Sequence, residues 1–226
     1  MGEQRLTSLG GTEGYLVQGS DASAAILALH AWWGLNPAFR RFCDALGGEG
    51  WTVMAPDLYH GAIAATIDEA KKQRSRLRGD AVRLDLQQAL AALREGRRER
   101  PVGVVGFSLG GYWGLWLAEE QSSRVQAGVF YYASRGGEFG REGPDLQFHL
   151  AEDDEYVASS GVKKMQMALH SAERSADFYT YPGTRHWFAE PNRPEFHQAA
   201  AGLAWKRTVE FLHRHLDSSG HAATLR

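Results

Sequence analysis

The segment Gly106-Phe107-Ser108-Leu109-Gly110-Gly111 sets one serine between glycines two positions before it and two after it. A serine hydroxyl becomes a useful nucleophile only when a neighbouring imidazole can take its proton. The segment follows the short apolar run Val102-Gly103-Val104-Val105 and opens an apolar helical stretch over 109–120. A serine on a strained strand-to-helix turn needs neighbours without bulk, and such a turn lifts the hydroxyl to the carboxyl end of a sheet. The next amide, that of Leu109, would point at a bound oxygen, and the helix N-terminus favours negative charge there. The bland alternative is a glycine-rich turn that only packs tightly or holds a phosphate. A dinucleotide site would need G-x-G-x-x-G, which this spacing does not supply.

Where a serine elbow of this kind is used, an acid and then a histidine follow in the chain, each after a later strand. His186, in Tyr181-Pro182-Gly183-Thr184-Arg185-His186-Trp187-Phe188, comes just past the last strand-like run in a turn-rich segment. Other histidines after Ser108 are worse placed. His149 falls inside a strand pattern, His170 ends a helix, and His197, His213 and His215 lie on or near the last helix. His213 and His215 are two apart, so they share no helical face and make a poor metal pair. The acid must come from Glu152-Asp153-Asp154-Glu155, an acidic run of a kind that is usually a solvated loop. Spacing alone does not choose among the four. Asp154 is the choice for orienting the imidazole, with Asp153 the alternate.

Short β-like runs alternate with helical stretches, which predicts a mostly parallel, twisted α/β sheet with helices on both faces. Strands are expected over 24–30, 51–55 (stopped by Pro56), 102–105, 125–133, 146–150 and 176–181. Helices are expected from Pro37, capped by Asn36, and over 79–94, 109–120, 157–170 and 195–216. The stretch between 56 and 79 reads as polar and amphipathic without a clear element. The 226 residues suit one domain, with 1–12 and 218–226 as frayed tails.

A net charge of −2 offers no basic excess for nucleic acid, and the Arg94–Arg100 run interleaves Glu, as a solvated helix end does. The single cysteine, Cys43, excludes an intrachain disulfide framework and shares an apolar helical face with Phe39, Phe42 and Leu46. No run approaches membrane-span length, and Leu6 stands where a myristoylation signal wants Ser or Thr. The expectation is a cytoplasmic protein with no membrane or nucleic-acid partner, no cofactor and no metal.

From about Ala24 to the last helix the chain resembles the dienelactone hydrolase family. His30-Ala31-Trp32-Trp33-Gly34-Leu35-Asn36 is similar to its H-E-W-W-G-L-N segment, and Pro56-Asp57-Leu58-Tyr59 to its P-D-L-Y. The serine, acid and histidine segments match in the same order. The resemblance implies an α/β-hydrolase fold and hydrolysis of small carboxylic esters or lactones through an acyl-enzyme. It supports Asp154, three residues before Val157, as the acid, and implies that the Trp32 amide joins that of Leu109 in an oxyanion hole. Founding members of the family have a cysteine nucleophile, a glutamate at the place of Ala31 and a substrate-gripping arginine at the place of Glu190. An acidic Glu190 in the pocket would repel an acidic lactone. With only 134–145 between two strands, no cap domain is expected, and Trp32, Trp33, Tyr112 and Trp187 would edge an open pocket beside Glu190. Rival readings are a thioesterase or small-peptide hydrolase with the same triad, and a non-catalytic ligand-binding relative.

Overall fold

The computed structural model describes residues 4–9, 11–21, 23–96 and 99–217. In chain order its strands are β1 (Gln4–Leu9), β2 (Thr12–Val17), β3 (Ala25–Leu29), β4 (Thr52–Pro56), β5 (Val102–Phe107), β6 (Ala127–Tyr131), β7 (Asp145–Asp153) and β8 (Ala176–Arg185). The helices are α1 (Pro37–Gly48), α2 (Ile67–Arg76), α3 (Gly79–Leu93), α4 (Leu109–Glu120), α5 (Ser159–Ser171) and α6 (Gln198–Leu216).

Strands β3, β4, β5 and β6 are buried at every position, so both faces of the sheet must be covered. Successive residues point to opposite faces. Ile26 and Ala28 accordingly meet one core layer with Cys43 and Leu46 of α1 and Phe211 and Leu212 of α6. Leu27 and Leu29 meet the other, with Leu86 and Leu90 of α3, Leu115 of α4 and Leu169 of α5. Each fully buried leucine of this kind contributes roughly 1.5–3 kcal/mol.

The sheet has eight strands in the order β1-β2-β4-β3-β5-β6-β7-β8. β2 runs antiparallel to both its neighbours, and every pair from β4 to β8 is parallel. Parallel neighbours align their carboxyl ends, so the loops leaving β5, β6, β7 and β8 gather along one rim. Register then selects which residues meet there. Phe107 pairs with Tyr131, so Ser108 and Tyr132 leave the sheet side by side. Asp153 pairs with Arg185, so Asp154 and His186 do the same.

Several expectations are corrected. Residues 4–9 are not a frayed tail: β1 pairs with β2 along its whole length, around a turn at Gly11 with φ +91°. Residues 218–226 lie outside the described residues. Pro56 closes β4 from within, as its last residue, paired with Gly14 of β2. β7 and β8 run past their expected ends, to the threshold of the site. Helix α6 starts at Gln198 rather than Glu195, because His197 caps it through Nδ1, which accepts the Ala200 amide at 3.2 Å. Helix α2 was unforeseen. It is polar and buries only Ala70, and its start is held by a reciprocal cap between Thr66 and Glu69. The segment 132–144, between β6 and β7, contains no helix or strand. No helix among the described residues is long and apolar enough to cross a membrane.

Candidate active site

Ser108 has φ +50° and ψ −110°, a conformation that costs a non-glycine residue about 1–3 kcal/mol. The fold holds it there through the Ser108 amide, which donates to Tyr131 O at 3.0 Å, and the Tyr112 amide, which donates to Ser108 O at 2.9 Å. The flanking glycines are required by contact. A Cβ on Gly106 would sit 2.5 Å from Gly110 O, and one on Gly110 would sit 2.2 Å from Leu29 O. Those gaps leave no room for a methyl group, which is why the elbow can form only with this residue pattern.

Across the rim, Ser108 Oγ lies 2.9 Å from His186 Nε2, and both carboxylate oxygens of Asp154 lie 2.8 Å from His186 Nδ1. An ionised carboxylate can only accept, so Nδ1 carries the proton and Nε2 is left free to accept from the serine hydroxyl. Asp154 is itself pinned: its Oδ1 accepts the amides of Tyr156 at 2.9 Å and Val157 at 2.8 Å. His186 is buried, its ring packed against Tyr132 at 4.9 Å, Tyr156 at 5.0 Å and Trp187 at 5.0 Å.

The remaining carboxylates of the acidic run go elsewhere. Glu152 accepts the Gly183 amide at 2.8 Å, Glu155 pairs with Arg185 at 3.0 Å, and Asp153 faces solvent. His149 is buried in the core, with Nδ1 2.7 Å from the Tyr181 hydroxyl and Nε2 3.0 Å from both Gln147 and Thr208. Cys43 is also buried, which pushes its thiol pKa up.

A cleft of about 500 Å³ opens over Ser108 and His186. Trp32 and Tyr112 line it, as the sequence suggests, together with Tyr132, Tyr156, Arg74 and Leu77. Trp33 and Trp187 do not. Both are buried, with ring centroids 5.0 Å apart, and the Arg193 guanidinium lies 3.7 Å from the Trp33 ring centroid. Aromatic packing of this strength makes them the wall behind the cleft.

Glu190 is likewise absent from the cleft. It is buried and accepts a hydrogen bond from the Tyr132 hydroxyl at 3.0 Å. Burial, with the Tyr132 hydrogen bond and the nearby Arg193 opposing it, pushes its pKa up to about 8. The expected acidic repulsion in the pocket therefore falls away. The cleft is instead lined by one charged side chain, the cation of Arg74 on α2, which sequence reading missed. The readable signal was the Thr66-Ile67-Asp68-Glu69 capping pattern; Tyr156, two residues past Asp154, carried no comparable one.

The amides of Trp32 and Leu109 make no hydrogen bond among the described residues. For Leu109 this follows from its place as the first residue of α4, where no helical carbonyl lies a turn earlier.

This strand order, with a serine elbow after β5 and the acid and histidine turns after β7 and β8, is that of an α/β-hydrolase. The chain belongs to the dienelactone hydrolase family, whose profile matches residues 12–216. It is 30% identical to a carboxymethylenebutenolidase of Rhodococcus opacus over 225 residues, covering 89% of this chain and 86% of that protein. It is 28% identical over 215 residues to protein usf of Aquifex pyrophilus, covering 90% and 93%. Among solved structures it resembles the dienelactone hydrolase-like promiscuous phosphotriesterase P91 from metagenomic libraries, at TM-score 0.79 and 18% identity, covering 96% and 99%. At that identity the likeness is one of fold. Membership of this family makes the chain a hydrolase-type protein.

Proposed function

We propose that the protein hydrolyses small carboxylic esters or lactones, with Ser108 as nucleophile, His186 as general base and acid, and Asp154 as the group that orients the imidazole. The observation that carries this reading is the unbroken hydrogen-bonded line from Ser108 Oγ through His186 to Asp154. Ser108 Oγ attacks the acyl carbon while Nε2 takes its proton, and the amides of Trp32 and Leu109 receive the carbonyl oxygen as it becomes an oxyanion. The protonated imidazole returns its proton to the leaving alkoxide. Water, deprotonated by the same nitrogen, attacks the acyl carbon; the bond to Ser108 Oγ breaks, the imidazolium returns its proton to that oxygen, and the acid leaves.

Arg74 supports substrates that bear a carboxylate, since it is the charged group lining the cleft. The carboxymethylenebutenolidase name of the Rhodococcus relative points to the same substrate class. A panel of p-nitrophenyl esters and lactones, neutral and acidic, tests both parts. Ser108→Ala should lose fluorophosphonate labelling and lower turnover by roughly 10⁶-fold. Arg74→Gln should raise KM about tenfold for acidic esters and leave neutral ones alone. Absence of stoichiometric labelling on Ser108 in the native protein would sink the hydrolase reading.

A further inference from the structure

We infer a second ligand site, linked to the Ser108 cleft through Tyr132, that binds a small organic ammonium ion against Glu190. This inference is independent of the reaction proposed above. A separate cavity of about 270 Å³ lies between α1, the start of α6 and the turn that follows His186. Its walls are aromatic: Phe42 on α1, Phe107 and Tyr131 at the ends of β5 and β6, and Phe196 and Trp205 on the α6 side. One acidic group, Glu190, lines it. Arg41, on the exposed side of α1, stands at its edge.

Glu190 is 6% exposed, and only one of its oxygens is accounted for. Oε1 accepts from the Tyr132 hydroxyl at 3.0 Å, and that is the one hydrogen bond of the carboxyl among the described residues. One oxygen suffices to hold Tyr132. The second oxygen belongs to a carboxyl that lines the cavity, so it is open to a partner bound there. Aromatic faces around a carboxylate suit an ammonium, which the ring quadrupoles attract and the carboxylate neutralises. An anion would meet Glu190 at close range. A neutral ligand would offer the carboxyl no charge to pair with once it ionises above about pH 8.

The charged and titratable groups facing Glu190 are Tyr132, whose hydroxyl bonds it, Arg193 and Glu195 from its own loop, and Arg41 across the cavity from α1. The lining residues from α6, Ala201 and Trp205, are uncharged. With the cavity empty, Glu190 holds its proton up to about pH 8, so an ammonium must displace that proton on binding below this pH.

Benzylamine and its neutral counterpart benzyl alcohol, titrated calorimetrically into the full chain between pH 6 and 8.5, test the site. Benzylamine should bind, weakening about tenfold for each pH unit below 8 as proton release becomes unfavourable. At pH 8.5 benzyl alcohol should bind at least ~10-fold more weakly, by the loss of the ion pair. Glu190→Gln should remove that preference for the amine. Ala201→Phe, which fills the cavity from α6 and leaves the Glu190 side chain unaltered, should abolish binding and decides the matter even if Glu190→Gln prevents folding. No benzylamine binding, equal binding of the two probes at pH 8.5, or unchanged binding in Ala201→Phe would each overturn the inference.

Discussion

At the scale of single residues, the proposed triad acid is the instructive case. Four consecutive carboxylates differ little in type, and what separates them is where β7 ends. Asp153 is the last residue of the strand and points to solvent; Asp154 is the first beyond it, and two backbone amides turn its carboxylate toward His186. That location is set by the parallel pairing of Asp153 with Arg185. Asp154→Asn should lower kcat by about 10³–10⁴-fold, because the amide can leave the imidazole in the wrong tautomer. Asp153→Asn should stay within about twofold, as expected of an exposed group with no role in the relay. Steady-state kinetics on a neutral p-nitrophenyl ester read both. Equal losses would show that the acidic run acts as a diffuse charge and not through one oriented carboxylate.

Among the elements, α2 is the one on which the proposed preference for acidic substrates rests. It places Arg74 in the cleft, yet buries only Ala70. Its position depends on the cap in which the Thr66 hydroxyl accepts the Glu69 amide at 3.2 Å and Glu69 Oε2 accepts the Ala65 and Thr66 amides. Thr66→Ala should cost this helix about 1 kcal/mol. The expected readout is a higher KM for acidic esters with kcat for neutral esters preserved, because Ser108, Asp154 and His186 are carried by other elements. A uniform fall in kcat would mean that α2 supports the triad as well as the substrate.

For the whole molecule, buried groups give stability opposing pH dependences: His149, with His30 shifted in the same direction, on one side and Glu190 on the other. Burial drives His149 down to about 3, within a network that joins β7, β8 and α6 through Tyr181 and Thr208. An unfolded histidine takes up its proton near pH 6.5, so the unfolded state binds more protons between about 6.5 and 3 and stability falls as pH drops through that window. Glu190 acts the other way. Its unfolded pKa is near 4.5 and its folded one about 8, so the folded state holds the extra proton between them and stability falls as pH rises. Each slope is on the order of 1 kcal/mol per pH unit inside its window. Urea midpoints should therefore peak near the overlap, around pH 5–6, and Glu190→Gln should flatten the alkaline side alone. An unchanged alkaline slope in that variant would assign the effect to another group.

Much was legible in the chain itself. Gly106, Ser108 and Gly110 declare their elbow because the glycines leave no alternative to close backbone contact. The apolar runs of β3 to β6 declare a doubly covered sheet because hydrophobic burial follows side-chain period. His186 could be picked out by its place after the last strand. What needed tertiary structure was every question of direction. Glu190 and Arg74 are both ionisable residues near the rim, but one turns inward beneath Tyr132 and the other reaches the cleft over Ser108. β1 was hidden because its identity comes from pairing with β2, and pairing is not local. Sequence determined which groups were available and in what order along the chain. Packing decided which of them face the same water, because side-chain direction depends on neighbours hundreds of ångströms away along the extended chain and a few ångströms away in the fold.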